Sequence, residues 1–163
     1  MIIKLLADWL MLPLIVLAMY GLLFRVPGND RYDRYSRIFM AGITSYFTAK
    51  LLGSMWQPEQ LRPFEQLGLN PGAAYLNNPG FPSDHALFAM FLVLAVWYGT
   101  RSRKMTISMA VMTLLICIGR VLALVHTPLD VVGGVAVAGV GALWYKNYAK
   151  KRLKARLAKP AKK

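Results

Sequence analysis

The chain has 163 residues, of which 56% are hydrophobic, and its mean hydropathy is +0.41. That length suits one domain, and the composition is too apolar for an ordinary soluble one. A formal net charge of +13 would suggest nucleic acid as the partner of a soluble protein, but sixteen of the 20 basic residues fall in three clusters, a membrane-topology pattern, so no nucleic-acid partner is expected.

Five stretches approach the roughly 20 apolar residues that cross a bilayer. The first covers about 5–24. Lys4 precedes it as in a signal peptide, but the run is too long and no small-x-small cleavage site follows, so it is read as a retained helix. Arg25, Arg31, Arg34 and Arg37 lead to the second stretch, 38–56, which contains Lys50. A long connection, 57–83, carries Pro58, Pro63, Pro71, Pro79 and Pro82. Structureless connections of that length are usually functional or disordered, and Leu67, Leu69, Tyr75, Leu76 and Phe81 favour a packed cap. The third stretch, 84–100, is separated by Arg101, Arg103 and Lys104 from the fourth, 105–125. The fifth, 129–145, holds Gly133, Gly134, Ala138, Gly139, Gly141 and Ala142, small residues that let helix backbones approach closely in lipid. Trp9, Phe24, Trp56, Trp97, Trp144 and Tyr145 sit near span ends, as headgroup-level anchors do. Nine Lys or Arg follow from Lys146.

The expected fold is therefore all-α: an integral membrane helical bundle with about five transmembrane helices and an extracytoplasmic loop carrying part of the site. Residues 1–148 form the membrane domain, and 149–163 a basic cytoplasmic tail that anchors topology and can lie on anionic headgroups. Alternating spans put the three basic clusters on one side, which the positive-inside rule assigns to the cytoplasm. The N-terminus and 57–83 are then outside.

Ionisable groups near or within spans are costly and need a reason. Of the four remaining basic residues, Lys50, Arg62 and Arg120 fall at the outer face, where His85, His126 and Asp130 join them. Two imidazoles, two or three cations and a carboxylate suit phosphoryl transfer: a nucleophile, a proton donor and charges that stabilise the equatorial oxygens. In Pro82-Ser83-Asp84-His85, Ser83 is a candidate N-cap, where helix amides favour an anion. Thr127 followed by Pro128 reads as a second helix start, and Asp130 can equally be read as completing its capping box. Arg120 alone can be read as bonding carbonyls or snorkelling. Cys117, the single cysteine, excludes an intrachain disulfide, and no His, Asp and Glu cluster with metal-ligand spacing remains, so no metal or cofactor is expected.

These residues resemble the type 2 phosphatidic acid phosphatase family, which shares its fold with vanadium haloperoxidases. The family motifs K-x6-RP, PSGH and SR-x5-H-x3-D correspond here to Arg62-Pro63, to Pro82-Ser83-Asp84-His85, and to Gly119-Arg120, His126 and Asp130 at the same spacing. Residues 50 to 134 carry the likeness. PSDH is similar to bacterial members acting on polyprenyl pyrophosphate. Three departures stand out: eleven residues separate Lys50 from Arg62, with Met55 at the lysine position; Gly119 replaces the serine, removing a hydroxyl near Arg120; and five spans are counted where the family commonly has six.

The resemblance implies a metal-independent lipid phosphatase of the plasma membrane, with its site facing the extracytoplasmic side. His126 would be the nucleophile, oriented by Asp130; His85 would protonate the leaving oxygen. Arg62 and Arg120 would clamp the phosphate, with Ser83, Asp84 and Lys50 as further phosphate-binding residues. Undecaprenyl pyrophosphate is the favoured substrate, ahead of phosphatidic acid or phosphatidylglycerol phosphate. Two rival functions fit the same pattern less well: a haloperoxidase on the same scaffold, and a non-catalytic lipid-binding protein.

Overall fold

A computed structural model describes residues 2–59, 61–76 and 80–146. The basic tail expected at 149–163, and Pro79 in the long connection, lie outside the described residues. The chain is all-helical, with no strand among the described residues. In order, the helices are α1 (Ile2–Lys4), α2 (Met11–Phe24), α3 (Arg31–Met55), the short α4 (Pro63–Gln66), α5 (Asp84–Thr100), α6 (Arg103–Leu122) and α7 (Pro128–Gly141). A π-helical turn, Leu5–Trp9, joins α1 and α2, closed by the bond from the Leu10 amide to the Leu5 carbonyl at 3.0 Å. The sequence reading missed it because hydropathy does not register one extra residue in a helical turn.

Three helical runs are long and apolar enough to cross a membrane: Ile2–Phe24, Arg103–Leu122 and Pro128–Lys146. Their outer faces remain apolar, with Leu12, Val16, Met19, Ile107, Val111, Leu114 and Val132 exposed as lipid-facing side chains require. The other two expected spans are built differently. Helix α3 is 25 residues long but carries Arg31, Arg34 and Arg37 at one end and Lys50 near the other. Helix α5 has 17 residues, about 25 Å, and is the middle of the bundle. It packs against α2, α3, α6 and α7, with nine of its residues buried. A helix so enclosed has little lipid to match, which is why it can be short.

The small residues of α7 set the closest approaches. A Cβ on Gly141 would collide with Ser45 and the Ala41 carbonyl of α3, and one on Gly134 would stand 2.5 Å from the Ser83 carbonyl at the start of α5. Gly139 is the exception to the expected packing role, because it faces open space.

At the end opposite to both histidines, two arginines of the basic clusters are structural. Arg34 is buried, and its Nη1 donates to the carbonyls of Tyr98 (3.2 Å) and Gly99 (2.7 Å), taking up acceptors freed where α5 ends. Arg37 donates to the Trp144 carbonyl at 3.1 Å. Tyr145, expected as a headgroup anchor, instead turns inward and stacks on Tyr98 with ring centroids 4.2 Å apart. Trp9, Phe24, Trp56, Trp97 and Trp144 do face outward.

The 57–83 connection is packed, as expected, but through only part of the expected set, Phe81 and Tyr75, the latter with its ring centroid 4.9 Å from that of Phe64. Phe64, Ala73 and Phe81 are buried, while Leu67, Leu69 and Leu76 are more than half exposed. Phe64 and Ala73 join Ala7, Ala123 and Val125 in one apolar cluster, since only those positions face the bundle end.

Candidate active site

Chain alternation brings the ends of two long helices, α3 and α6, and the starts of three helical runs, those beginning at Ile2, Asp84 and Pro128, to one end of the bundle, and the cap closes over them. Backbone bonds fix the cap to the segment between α6 and α7: the Phe64 amide donates to the Leu124 carbonyl and the Gly72 amide to the Ala123 carbonyl, both at 3.0 Å. Leu124 adopts a left-handed φ of 59°. For a leucine this costs on the order of 1 kcal/mol, and it turns the chain sharply after α6. Val125 and His126 follow, both buried.

His126 and Asp130 lie four residues apart across the start of α7. The His126 Nδ1 stands 3.4 Å from Asp130 Oδ2. The same Oδ2 accepts from the Thr127 amide at 2.8 Å, while the Asp130 amide donates to Thr127 Oγ1 at 3.2 Å. The capping-box reading of Asp130 and its role beside His126 are thus compatible: one carboxylate does both, and Pro128 occupies the first helical turn. Burial lowers the His126 pKa from its ordinary value, opposed by the hydrogen bond to Asp130 and reinforced by Arg120 and Arg62.

Arg62 caps α4, its amide donating to Glu65 Oε2 at 2.7 Å. Its guanidinium bonds the Val125 carbonyl through Nη1 and the Leu76 carbonyl through Nη2 at 3.1 Å, and lies 5.4 Å from the Tyr75 ring centroid. Burial lowers the pKa of Arg62, with Asp130 and Glu65 opposing. Arg120, near the end of α6, is buried and bonds both the Ala74 carbonyl (2.7 Å) and Asp8 Oδ1 (3.1 Å) through Nη1.

These residues share a cleft of about 50 Å³ lined by Arg62, Leu76, Gly80, Pro82, Asp84, His85, Arg120 and His126. One water needs roughly 10–15 Å³ on that measure, so the cleft admits a small oxyanion. Gly80 packs closely there, since a Cβ would stand 3.2 Å from Asp130 Oδ2 and press on that carboxylate.

Ser83 is the N-cap of α5, but not through its side chain, whose buried hydroxyl has no partner among the described residues. Its amide is bonded to the Asp130 carbonyl at 2.9 Å, which locks the starts of α5 and α7 together. Lys50 does not line the cleft. Its Nζ bonds both carboxylate oxygens of Asp84, at 3.0 and 3.2 Å, and borders an adjoining pocket with Gln57, Phe81 and Pro82. Met55, at the family's lysine position, is 75% exposed.

The glycine at position 119 has a steric cause. A Cβ there would lie 2.7 Å from the Ala7 amide nitrogen and 2.9 Å from the Leu6 carbonyl carbon, backbone atoms of the π-helical turn. A serine would force that turn away, at a cost of about 1–3 kcal/mol. The close approach delivers Asp8 to Arg120, a contact that sequence reasoning missed. Its signal was available, an acid within the first apolar stretch.

A family model of the PAP2 superfamily matches residues 35–154, 120 of the 163 residues. Comparisons with curated proteins and with solved structures give no match. With the match covering most of the chain, and with helices long and apolar enough to span a membrane, the chain belongs to the PAP2 superfamily and is a membrane phosphatase acting on lipid phosphates.

Proposed function

We propose that the protein hydrolyses a polyprenyl pyrophosphate, of the undecaprenyl type, to the monophosphate through a phosphohistidine on His126. The observation that carries this reading is the convergence of His85, His126, Arg62 and Arg120 on one oxyanion-sized cleft, with Asp130 behind His126. In the tautomer that donates Nδ1–H to Asp130, the His126 Nε2 lone pair is free to attack the terminal phosphorus. The bond from phosphorus to the bridging oxygen breaks as His85 gives that oxygen a proton, and the lipid monophosphate leaves. His85, now neutral, takes a proton from water as the water attacks the phosphohistidine, which restores His126 and releases inorganic phosphate. Arg62 and Arg120 stabilise the charge on the equatorial oxygens.

Support for a long-chain substrate comes from Asp84. It borders the cleft and also an apolar groove of about 360 Å³ between α3 and α5, lined by Gly42, Tyr46, Leu87, Phe88 and Phe91. A headgroup in the cleft can keep its chain in that groove. Purified protein is expected to release phosphate in EDTA, to be inhibited by vanadate, and to prefer polyprenyl pyrophosphate in kcat/KM. Loss of activity on chelation, restored by Mg²⁺, would overturn the mechanism. A tenfold preference for phosphatidic acid or phosphatidylglycerol phosphate would overturn the substrate assignment alone.

We also place the cleft on the extracytoplasmic side of the plasma membrane, because Arg25, Arg31, Arg101, Arg103 and Lys104 lie at the other end of the helices. A cysteine introduced at Leu67, which is exposed on the cap, should react with an impermeant maleimide on intact cells. Reaction only after lysis would reverse the orientation.

A further inference from the structure

We propose that Asp8 is a positioning residue of the phosphate site: from the π-helical turn of the first span it holds one edge of the Arg120 guanidinium and ties the cap to it, leaving the other edge for the substrate oxyanion. The proposal rests on reading Arg120 as a phosphate ligand.

Three polar groups form a closed ring. Arg120 Nη1 donates to Asp8 Oδ1 at 3.1 Å and to the Ala74 carbonyl at 2.7 Å, and the Ala74 amide donates to Asp8 Oδ2 at 3.0 Å. Asp8 thus uses both carboxylate oxygens, one on the arginine and one on the cap. The arginine side chain is 2% exposed and that of Asp8 17%, so little water competes for these bonds. Arg120 Nε has no partner among the described residues although it is buried. With Nη1 bonded twice, the buried Nε–H is an unmatched donor on a side chain that lines the cleft, a cost that an oxyanion bound there would relieve.

The surrounding backbone is shaped for this contact. A regular α-helix through Leu5–Trp9 would rotate the residues before Leu10 by about 100° per residue of register, whereas the π turn, a feature found frequently at functional sites, inserts one residue. Gly119, one residue before Arg120, lets that turn approach to backbone contact distance. Ala7 is completely buried in the cluster with Phe64, Ala73, Ala123 and Val125, so Asp8 is held from a packed position and not from a loose terminus. A carboxylate beside the phosphate also opposes anion binding, so its benefit has to lie in preorganisation. Fixing Arg120 where negative charge develops raises kcat more than it tightens the ground-state complex.

The test uses the full chain purified in detergent, with a short-chain phosphatidic acid as the assay substrate and melting temperature measured on each variant. Asp8→Asn is expected to lower kcat by roughly 10–100-fold, the range a displacement of about 1 Å produces, while KM changes less than about threefold. In an Arg120→Ala background, itself strongly impaired, the same substitution should change kcat less than about twofold, since the residue it acts through is gone. Should Asp8→Asn not fold, the cycle is run with Asp8→Glu, which keeps the charge and displaces the carboxylate by one methylene. Wild-type kcat in the single variant, or losses that multiply in the double variant, would overturn the positioning role. Near-wild-type activity of Arg120→Ala would instead overturn the reading of Arg120 as a phosphate ligand.

Discussion

His126→Ala is expected to abolish turnover and, with it, any acid-labile phosphoenzyme trapped after rapid quenching of labelled substrate. No other group lining the cleft can replace it with the same geometry: His85 starts a different helix and lacks the carboxylate that Asp130 places on His126. His85→Ala should fall by at least roughly 100-fold through loss of the proton donor, yet still form phosphoenzyme. The two variants therefore separate nucleophile from acid, and phosphoenzyme in His126→Ala would reverse the assignment. The pH profile gives a further reading. Attack needs neutral His126, so activity is lost as pH falls through its folded pKa. Burial holds that pKa below the ordinary 6.5, which puts the acid limb of kcat/KM below pH 6.5. Asp130 raises the pKa of His126, so Asp130→Asn should move the limb still lower while cutting the rate through loss of the tautomer. An acid limb above pH 6.5 would contradict His126 as the group titrated.

Arg62→Ala is expected to lower kcat/KM by at least roughly 100-fold and to loosen the cap, two effects with separate readouts. The guanidinium faces the cleft and also joins the Val125 carbonyl, next to His126, to the Leu76 carbonyl of the cap. Removing it takes away a phosphate charge and leaves two carbonyls without their donor. Initial rates report the first change, and limited proteolysis within 57–83 reports the second. Arg62→Lys should restore charge without the fork that reaches both carbonyls, and so should remain at least about tenfold impaired with a cleavable cap. Activity within threefold of wild type for Arg62→Ala would remove Arg62 from the site.

Much of the fold was legible because membrane insertion imposes a strong one-dimensional code. Five helical stretches were located by hydropathy, with three meeting the length and composition of a span and α5 short because it is enclosed. The third motif was legible too, because His126 and Asp130 are four residues apart on one helix start, a local geometry that spacing determines. Pro128 and the Thr127 cap were readable for the same local reason.

The tertiary structure decided what spacing cannot reach. Lys50 and Asp84 are 34 residues apart, and whether the lysine enters the cleft or pairs with that carboxylate depends on how α3 lies against α5. Asp8 and Arg120 are 112 residues apart, and their contact exists because a π turn and Gly119 allow two backbones to meet. Arg34 reads in sequence as a topology charge, yet it is buried on the end of α5. Hydropathy and motif spacing report each residue's own preference and its near neighbours. Which long-range partner satisfies a buried charge depends on packing, and only the assembled bundle determines it.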